Sequence, residues 1–151
     1  MEQLFNFHQT TDLVGTAGQP TRDQFATIAA EDYRAVINLA MPDSDNALAD
    51  EASLVTSYGL SYFHIPVPFD APTAEHLRLF FGLMDTLEGQ KMLVHCVVNA
   101  RVSVFMYKYL TLKKGWAADQ ATSPLLHGWL PEMDNVWKAV MNMSLEDIEP
   151  A

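Results

Sequence analysis

The sequence predicts a three-layer α/β/α domain in which helices cover both faces of a largely parallel central sheet. Short apolar runs rich in β-branched residues alternate with helix-forming segments of about 10 to 15 residues, the pattern of βαβ units. The chain has 151 residues, of which 49% are hydrophobic and 19% charged, values typical of a globular protein. We therefore expect a single domain over residues 1–151.

The first predicted helix runs from about Arg22 to Ala30. It follows Pro20 and Thr21, and Gln24 stands where the partner of Thr21 in a capping box would stand. The segment RAVINLA, which starts at Arg34, is a short β-branched apolar run and predicts a buried strand.

A second helix and a second strand follow. The segment DSDNALADEASLVTSYG offers Asp and Asn residues as N-caps, and Gly59 is a suitable C-terminal stop. LSYFHIPV predicts the strand. The segment PVPFDAPT contains three prolines, which neither a helix interior nor a central strand accepts, so we expect a loop there.

Three more elements are predicted before residue 116. Apolar side chains recur at helical spacing between the N-cap Thr73 and Gly89, which predicts a third helix. KMLVH predicts a buried strand, and RVSVFMYKYLTLKKG, from Arg101 to Gly115, predicts a buried helix with basic residues at its end.

The last part of the chain predicts further helices, broken at Pro124 and Pro131. No catalytic pattern occurs in it. Its tryptophans are expected to pack in the core, and they are Trp116, Trp129 and Trp137.

The formal net charge of −10 bears on the partners of the protein. Such a surface repels phosphate backbones, so no nucleic acid is expected as a partner. No apolar run approaches the roughly 18 residues of a membrane span, and MEQLFNFHQT does not resemble a signal peptide, so we expect no membrane association and a cytoplasmic location. A single cysteine excludes an internal disulfide and fits a reducing compartment. The oligomeric state is left open.

The only cysteine, Cys96, lies between the last predicted strand and the helix that starts near Arg101. One interpretation is a buried packing thiol, since free cysteine is among the most buried residue types. The other is a nucleophile in an anion site, because the N–H groups of a short loop and a helix N-terminus attract anions and favour a thiolate. Arg101 favours the second interpretation, because a guanidinium binds phosphate oxygens through two hydrogen bonds.

The segments AGQPT, AVINL, YFHIPVPFDAPT and MLVHC occur in this order, and an arginine follows the last of them shortly. In these segments, over roughly Gly15 to Leu112, the chain resembles the cysteine-dependent protein tyrosine and dual-specificity phosphatases. It is similar in particular to small bacterial phosphatase-like proteins of this superfamily, some of which are fused to metallo-β-lactamase-like hydrolases. The resemblance implies the protein tyrosine phosphatase fold and a phosphorylated substrate or another oxyanion as the partner.

The resemblance also implies roles for individual residues. Cys96 would attack phosphorus, Arg101 would bind the equatorial oxygens, and Asp70 would protonate the leaving oxygen and then activate water. Asp70 could equally cap a turn, since it stands between prolines. His95 would orient the loop and help to keep Cys96 ionised. The phosphate-binding loop would comprise Val97, Val98, Asn99, Ala100, Arg101 and Val102.

The loop is shorter than the family pattern. Four residues separate Cys96 from Arg101, where the family has five. Val97 and Val98 are β-branched and resist positive φ, so Asn99 is the residue suited to that conformation.

The position of the hydroxyl group that supports the family's loop is also altered. Val102 directly follows the arginine, where the family has a hydroxyl, but Ser103 stands at the family position when counted from Cys96. Either one loop residue has been deleted, or the arginine has moved one place inward. We expect the fold and phosphate binding to tolerate this better than turnover does.

Two classes of function remain open. The first is an enzyme that hydrolyses phosphomonoesters through Cys96, with slow turnover because the short loop should lose or misdirect an N–H group. The second is a binding module for phosphate, a phosphorylated partner or another oxyanion. Sulfur transfer or reduction is less favoured, because one cysteine has no resolving partner. No metal and no cofactor are expected, since the histidines and carboxylates lack metal-ligand spacing.

Overall fold

The computed structural model describes residues 1–151 and contains one five-stranded sheet with helices on both faces. The strands are β1 His8–Gln9, β2 Val14–Ala17, β3 Ala35–Asn38, β4 Ser61–His64 and β5 Met92–His95. The helices are α1 Gln24–Ala30, α2 Glu51–Ser57, α3 Ala74–Thr86, α4 Ala100–Leu112, α5 Ala118–Ala121, α6 Pro124–Trp129, α7 Asn135–Met141 and α8 Leu145–Ile148, and a 3₁₀ turn spans Leu130–Glu132.

The strand order is β1-β2-β5-β3-β4, and only the β1–β2 pair is antiparallel. The predicted, largely parallel sheet is therefore confirmed. His95 pairs in register with Ala17 of β2 on one side and with Asn38 of β3 on the other. The carboxyl ends of three neighbouring strands thus lie together, directly below Cys96.

Two strands, β1 and β2, were not predicted from the sequence. β1 has only two residues, and β2 reads VGTA, which lacks the larger apolar and aromatic side chains that mark the other parallel strands. β2 becomes a strand through its pairing with β5. A Cβ atom at Gly15 would lie 2.7 Å from the hydroxyl of Tyr33, so this strand also needs a residue without a side chain.

The helix boundaries follow several of the predicted signals. The hydroxyl of Thr73 caps α3 and forms a capping box with His76. Positive φ angles at Gly59, Gly89 and Gly115 agree with the predicted helix stops. The helix expected within residues 43–59 is shorter than the pattern suggested, because its regular part begins only at Glu51.

The side chains of β5 alternate between two hydrophobic clusters, one on each face of the sheet. Met92 and Val94 belong to the larger cluster, which includes α3, α4 and the C-terminal helices, whereas Leu93 belongs to the smaller one with α1 and α2. Trp137 is fully buried in the larger cluster, and Trp116 and Trp129 pack against it, which confirms the predicted packing role of the tryptophans.

None of the helices combines the length and the apolar character needed to cross a lipid bilayer.

Candidate active site

Cys96 lies directly after β5 and is fully buried. Its N–H donates to the carbonyl of Ala17 at 3.3 Å, and the carbonyl of His95 accepts from the N–H of Leu39 at 2.8 Å. The backbone on both sides of the thiol is therefore tied to the neighbouring strands. Cys96 stands at the carboxyl end of the central strand, the position expected from the sequence.

The carbonyl groups of the loop after Cys96 are held by the N-terminal part of the chain. The N–H of Gln19 donates to the carbonyl of Val97 at 3.0 Å, and Nδ2 of Asn6 donates to the carbonyl of Val98 at 2.9 Å. Gly18 permits this close approach, since a Cβ atom there would lie 2.6 Å from the carbonyl oxygen of Val97. Both carbonyls consequently face the N-terminal segment.

The N–H groups of the same loop are unpaired. From Val97 to Val102, no backbone N–H donates a hydrogen bond within the chain. All peptide bonds are trans, so the N–H groups of Val98 and Asn99 point away from the donors that hold the preceding carbonyls. The donors continue into the first turn of α4, which begins at Ala100. A loop of this kind at a helix start favours a bound anion.

Asn99 provides the left-handed residue that the loop needs. Its φ angle is +74°, and neither Val97 nor Val98 has a positive φ, as the sequence predicted. Nδ2 of Asn99 donates to the carbonyl of Asn6 at 2.9 Å and to the hydroxyl of Thr16 at 3.1 Å. Asparagine is thus favoured here both by its conformation and by its hydrogen bonds.

Arg101 lies in the first turn of α4 and is only 6% exposed. Its Nη1 donates to the carbonyl of Val67 at 2.8 Å, and its Cζ lies 5.7 Å from the centre of the Phe69 ring. Its Nε is buried and has no hydrogen-bond partner. An unpaired buried N–H of a guanidinium is costly, and a bound oxyanion would remove that cost.

Asp70 is exposed and forms no hydrogen bond within the chain. The segment before it is fixed, because Nε1 of Trp137 donates to the carbonyl of Phe69 at 2.7 Å and the Phe69 ring stacks on Trp129 at 5.9 Å. The C-terminal helices, in which the sequence indicated no chemistry, therefore support the segment that carries the candidate acid.

His95 is fully buried behind the loop and engages both ring nitrogens. Its Nδ1 lies 3.2 Å from the carbonyl oxygen of Cys96, and its Nε2 lies 2.7 Å from Oε2 of Glu51. The other carboxylate oxygen of Glu51 accepts from Nε2 of Gln19 at 2.7 Å. Burial by itself raises the pKa of Glu51, but the hydrogen bonds and the charge of His95 outweigh it and bring the pKa below its ordinary value.

Glu51 and Gln19 were not predicted as site residues. Glu51 stood within a predicted helix, 44 positions before His95 in the sequence. Its one sequence signal is a carboxylate at the start of a helix, which many surface helices share.

The hydroxyl of Ser103 makes no hydrogen bond to Cys96. It donates to the carbonyl of Ala100 at 2.6 Å, within the first turn of α4. Val102 is fully buried in the larger cluster. The structure therefore brings no hydroxyl group of α4 to Cys96, in either register that the sequence left open.

Two other features lie apart from this loop. No group of three or more His, Cys, Asp or Glu side chains is arranged to hold a metal ion. An apolar cavity of about 270 Å³ lies near the first residues of β2 and β5, Val14 and Met92, at the opposite end of the sheet from Cys96.

The chain is similar to solved phosphatase structures. A DUF442 protein from Shewanella putrefaciens, described as a candidate phosphatase, is 32% identical, with a TM-score of 0.84 and coverage of 93% of this chain and 91% of that one. Tk-PTP in its active form is 21% identical, with a TM-score of 0.73 and coverage of 97% and 98%. A variant of TpbA from P. aeruginosa in complex with pTyr is 14% identical, with a TM-score of 0.73 and coverage of 97% and 92%.

The last two similarities show the fold, and the first shows the family. No family model matches the sequence, and a search of the curated proteins finds no match. With a third of its residues identical over nine-tenths of both chains, the protein belongs to the DUF442 family of phosphatase-like proteins.

Proposed function

We propose that the protein hydrolyses phosphomonoesters at the loop after β5, with Cys96 as the nucleophile. The observation that carries this proposal is the run of unpaired N–H groups from Val97 to Val102 beside the unpaired, buried Nε of Arg101. Together they would supply the hydrogen-bond donors that a phosphoryl group requires. A reducing cytoplasm, which we propose as the location, would keep the thiol free.

In the first proposed step, the thiolate of Cys96 attacks phosphorus. The S–P bond forms as the P–O bond to the leaving group breaks, and Asp70 gives its proton to the leaving oxygen. Arg101 binds the equatorial oxygens with Nε and its second Nη group, while Nη1 stays on the carbonyl of Val67.

In the second proposed step, water attacks phosphorus and transfers a proton to the carboxylate of Asp70. The P–O bond forms as the S–P bond breaks, which releases phosphate and restores the thiolate. The exposure of Asp70 supports this role, because the group must reach both the leaving oxygen and water.

We propose that turnover is slow. The loop has four residues between Cys96 and Arg101, and the Ser103 hydroxyl of α4 donates to the Ala100 carbonyl rather than to Cys96. Misplacing one donor in a comparable oxyanion site costs about 3 to 4 kcal/mol, or roughly a hundredfold to a thousandfold in rate.

Hydrolysis of an aryl phosphate over about pH 5 to 8 tests the proposal with wild type, Cys96→Ser and Asp70→Asn. We expect slow hydrolysis that Cys96→Ser abolishes and Asp70→Asn reduces most for poor leaving groups. Hydrolysis that survives Cys96→Ser would exclude the mechanism. Vanadate binding without any Cys96-dependent turnover would indicate the binding module instead.

A further inference from the structure

The buried pair of His95 and Glu51 has no role in the two chemical steps. The side chains are 0% and 3% exposed, and both carboxylate oxygens of Glu51 are engaged, one by His95 and one by Gln19. A buried pair of ionisable groups is often no more stabilising than apolar residues of the same size, so its position directly behind the loop after Cys96 indicates a role in the site.

The hydrogen bonds determine where the protons of His95 lie. Nδ1 faces the carbonyl of Cys96, which can only accept, so Nδ1 carries a proton. Nε2 faces the carboxylate of Glu51, whose pKa is below its ordinary value, and an ionised carboxylate accepts a hydrogen bond from a protonated Nε2. A ring that donates from both nitrogens is an imidazolium.

We infer that Glu51 is a positioning residue that keeps His95 charged, so that the positive end of the pair lies against Cys96 and favours its thiolate. The distances support this orientation, because the His95 ring contacts the Cys96 carbonyl through Nδ1 at 3.2 Å and the Glu51 carboxylate through Nε2, on the far side of the ring. The inference rests on the proposed reactivity of Cys96, but it does not depend on turnover.

Few other charged or titratable groups lie near the pair. Arg101 of α4 is a permanent cation. On β4, burial raises the pKa of Tyr62 to about 12, so it is neutral at physiological pH, and Nε2 of His64 lies 2.7 Å from the carbonyl of Ala40. β2 and β3 contribute no titratable side chain. Glu51 is thus the carboxylate that balances His95.

The pH dependence of Cys96 alkylation by iodoacetamide tests the inference, since Cys96 is the only thiol. Glu51→Gln preserves shape and can still hydrogen bond to a neutral ring. We expect its alkylation midpoint to rise by about one pH unit, which lowers the rate near pH 6 about tenfold. Glu88→Gln makes the same change at the surface and should leave the profile unchanged. An unchanged profile for a folded Glu51→Gln protein would overturn the inference.

A measurement on wild type does not depend on how the variant folds. Two-dimensional ¹H–¹⁵N spectra of the imidazole rings should show both nitrogens of His95 protonated at neutral pH. A neutral His95 would overturn the inference even if the protein hydrolyses phosphate esters. Conversely, a charged His95 and a shifted alkylation profile would support it even if the proposed hydrolysis is absent.

Discussion

At the scale of single residues, Arg101 makes a structural contact and also keeps a donor free for the proposed binding of phosphate. Nη1 holds the carbonyl of Val67, three positions before Asp70, and Nε is left without a partner. One side chain thus links the segment of the candidate acid to the loop of the candidate nucleophile. A lysine cannot make both contacts, because it presents a single ammonium group.

We predict that Arg101→Lys weakens the binding of phosphate and vanadate. Losing a charge-assisted hydrogen bond costs about 1.5 to 3 kcal/mol, or roughly ten- to hundredfold in affinity. Isothermal titration calorimetry measures the change. Arg78→Lys is the matched control, because Arg78 is exposed and contacts the carbonyl of Ile148. Equal affinities of the Arg101 variant and wild type would contradict this account.

The half-buried hydroxyl of Tyr62 provides a pH prediction. Burial raises its pKa to about 12, so above its ordinary value of 10.0 the unfolded chain loses this proton before the folded protein does. The free energy of unfolding therefore falls as the pH rises from 10.0 towards 12, by at most about 1.4 kcal/mol per pH unit from this group. Tyr62→Phe should lose less stability over this window, as urea titrations measure. The exposed Tyr58→Phe should retain the wild-type slope, and equal slopes in all three proteins would refute the assignment.

At the scale of elements, the loop between β5 and α4 is shaped by two partners from the N-terminal part of the chain. Asn6 and Gln19 hold the carbonyls of Val98 and Val97, and Gly18 allows the contact. The sequence identified the loop and its left-handed Asn99 because both depend on local chemistry. It did not identify Asn6, Gly18 or Glu51, because their roles arise only when distant segments meet at the sheet edge.

We predict that Gly18→Ala weakens vanadate binding by displacing the loop. The added Cβ would lie 2.6 Å from the Val97 carbonyl oxygen, and overpacking of this kind costs about 1 to 3 kcal/mol of stability. Gly82→Ala in α3 is the control, since its Cβ meets no atom within 4 Å. That change should stabilise the protein by about 0.5 to 1 kcal/mol and leave binding unchanged. Wild-type vanadate affinity in Gly18→Ala would contradict the role of the close approach.

At the scale of the whole molecule, the layer order was predictable, and the strands β1 and β2 were not. The strands β3, β4 and β5 were each predicted from a short apolar run in the sequence. The segment VGTA, in contrast, forms a strand only because it pairs with β5. The role of the C-terminal helices likewise depends on contacts between segments that are distant in the sequence. Trp137 reaches Phe69 across 68 residues of sequence, so its support of the Asp70 segment is visible only in the fold.

We propose that the two hydrophobic clusters unfold as one domain, because the side chains of β3 and β5 alternate between them. Tryptophan fluorescence reports on the larger cluster, which contains or contacts all three tryptophans, and far-UV circular dichroism reports on the whole chain. The two urea transitions should coincide. Separate midpoints would indicate two units.

The proposed function depends most on whether Cys96 accepts a phosphoryl group. Rapid acid quenching of the protein during reaction with an aryl phosphate, followed by mass spectrometry of the Cys96 peptide, measures this directly. We predict a peptide heavier by one phosphoryl group in wild type and an unmodified peptide in Cys96→Ser. Release of phosphate by wild type, with the Cys96 peptide unmodified at every time point, would contradict the proposed function.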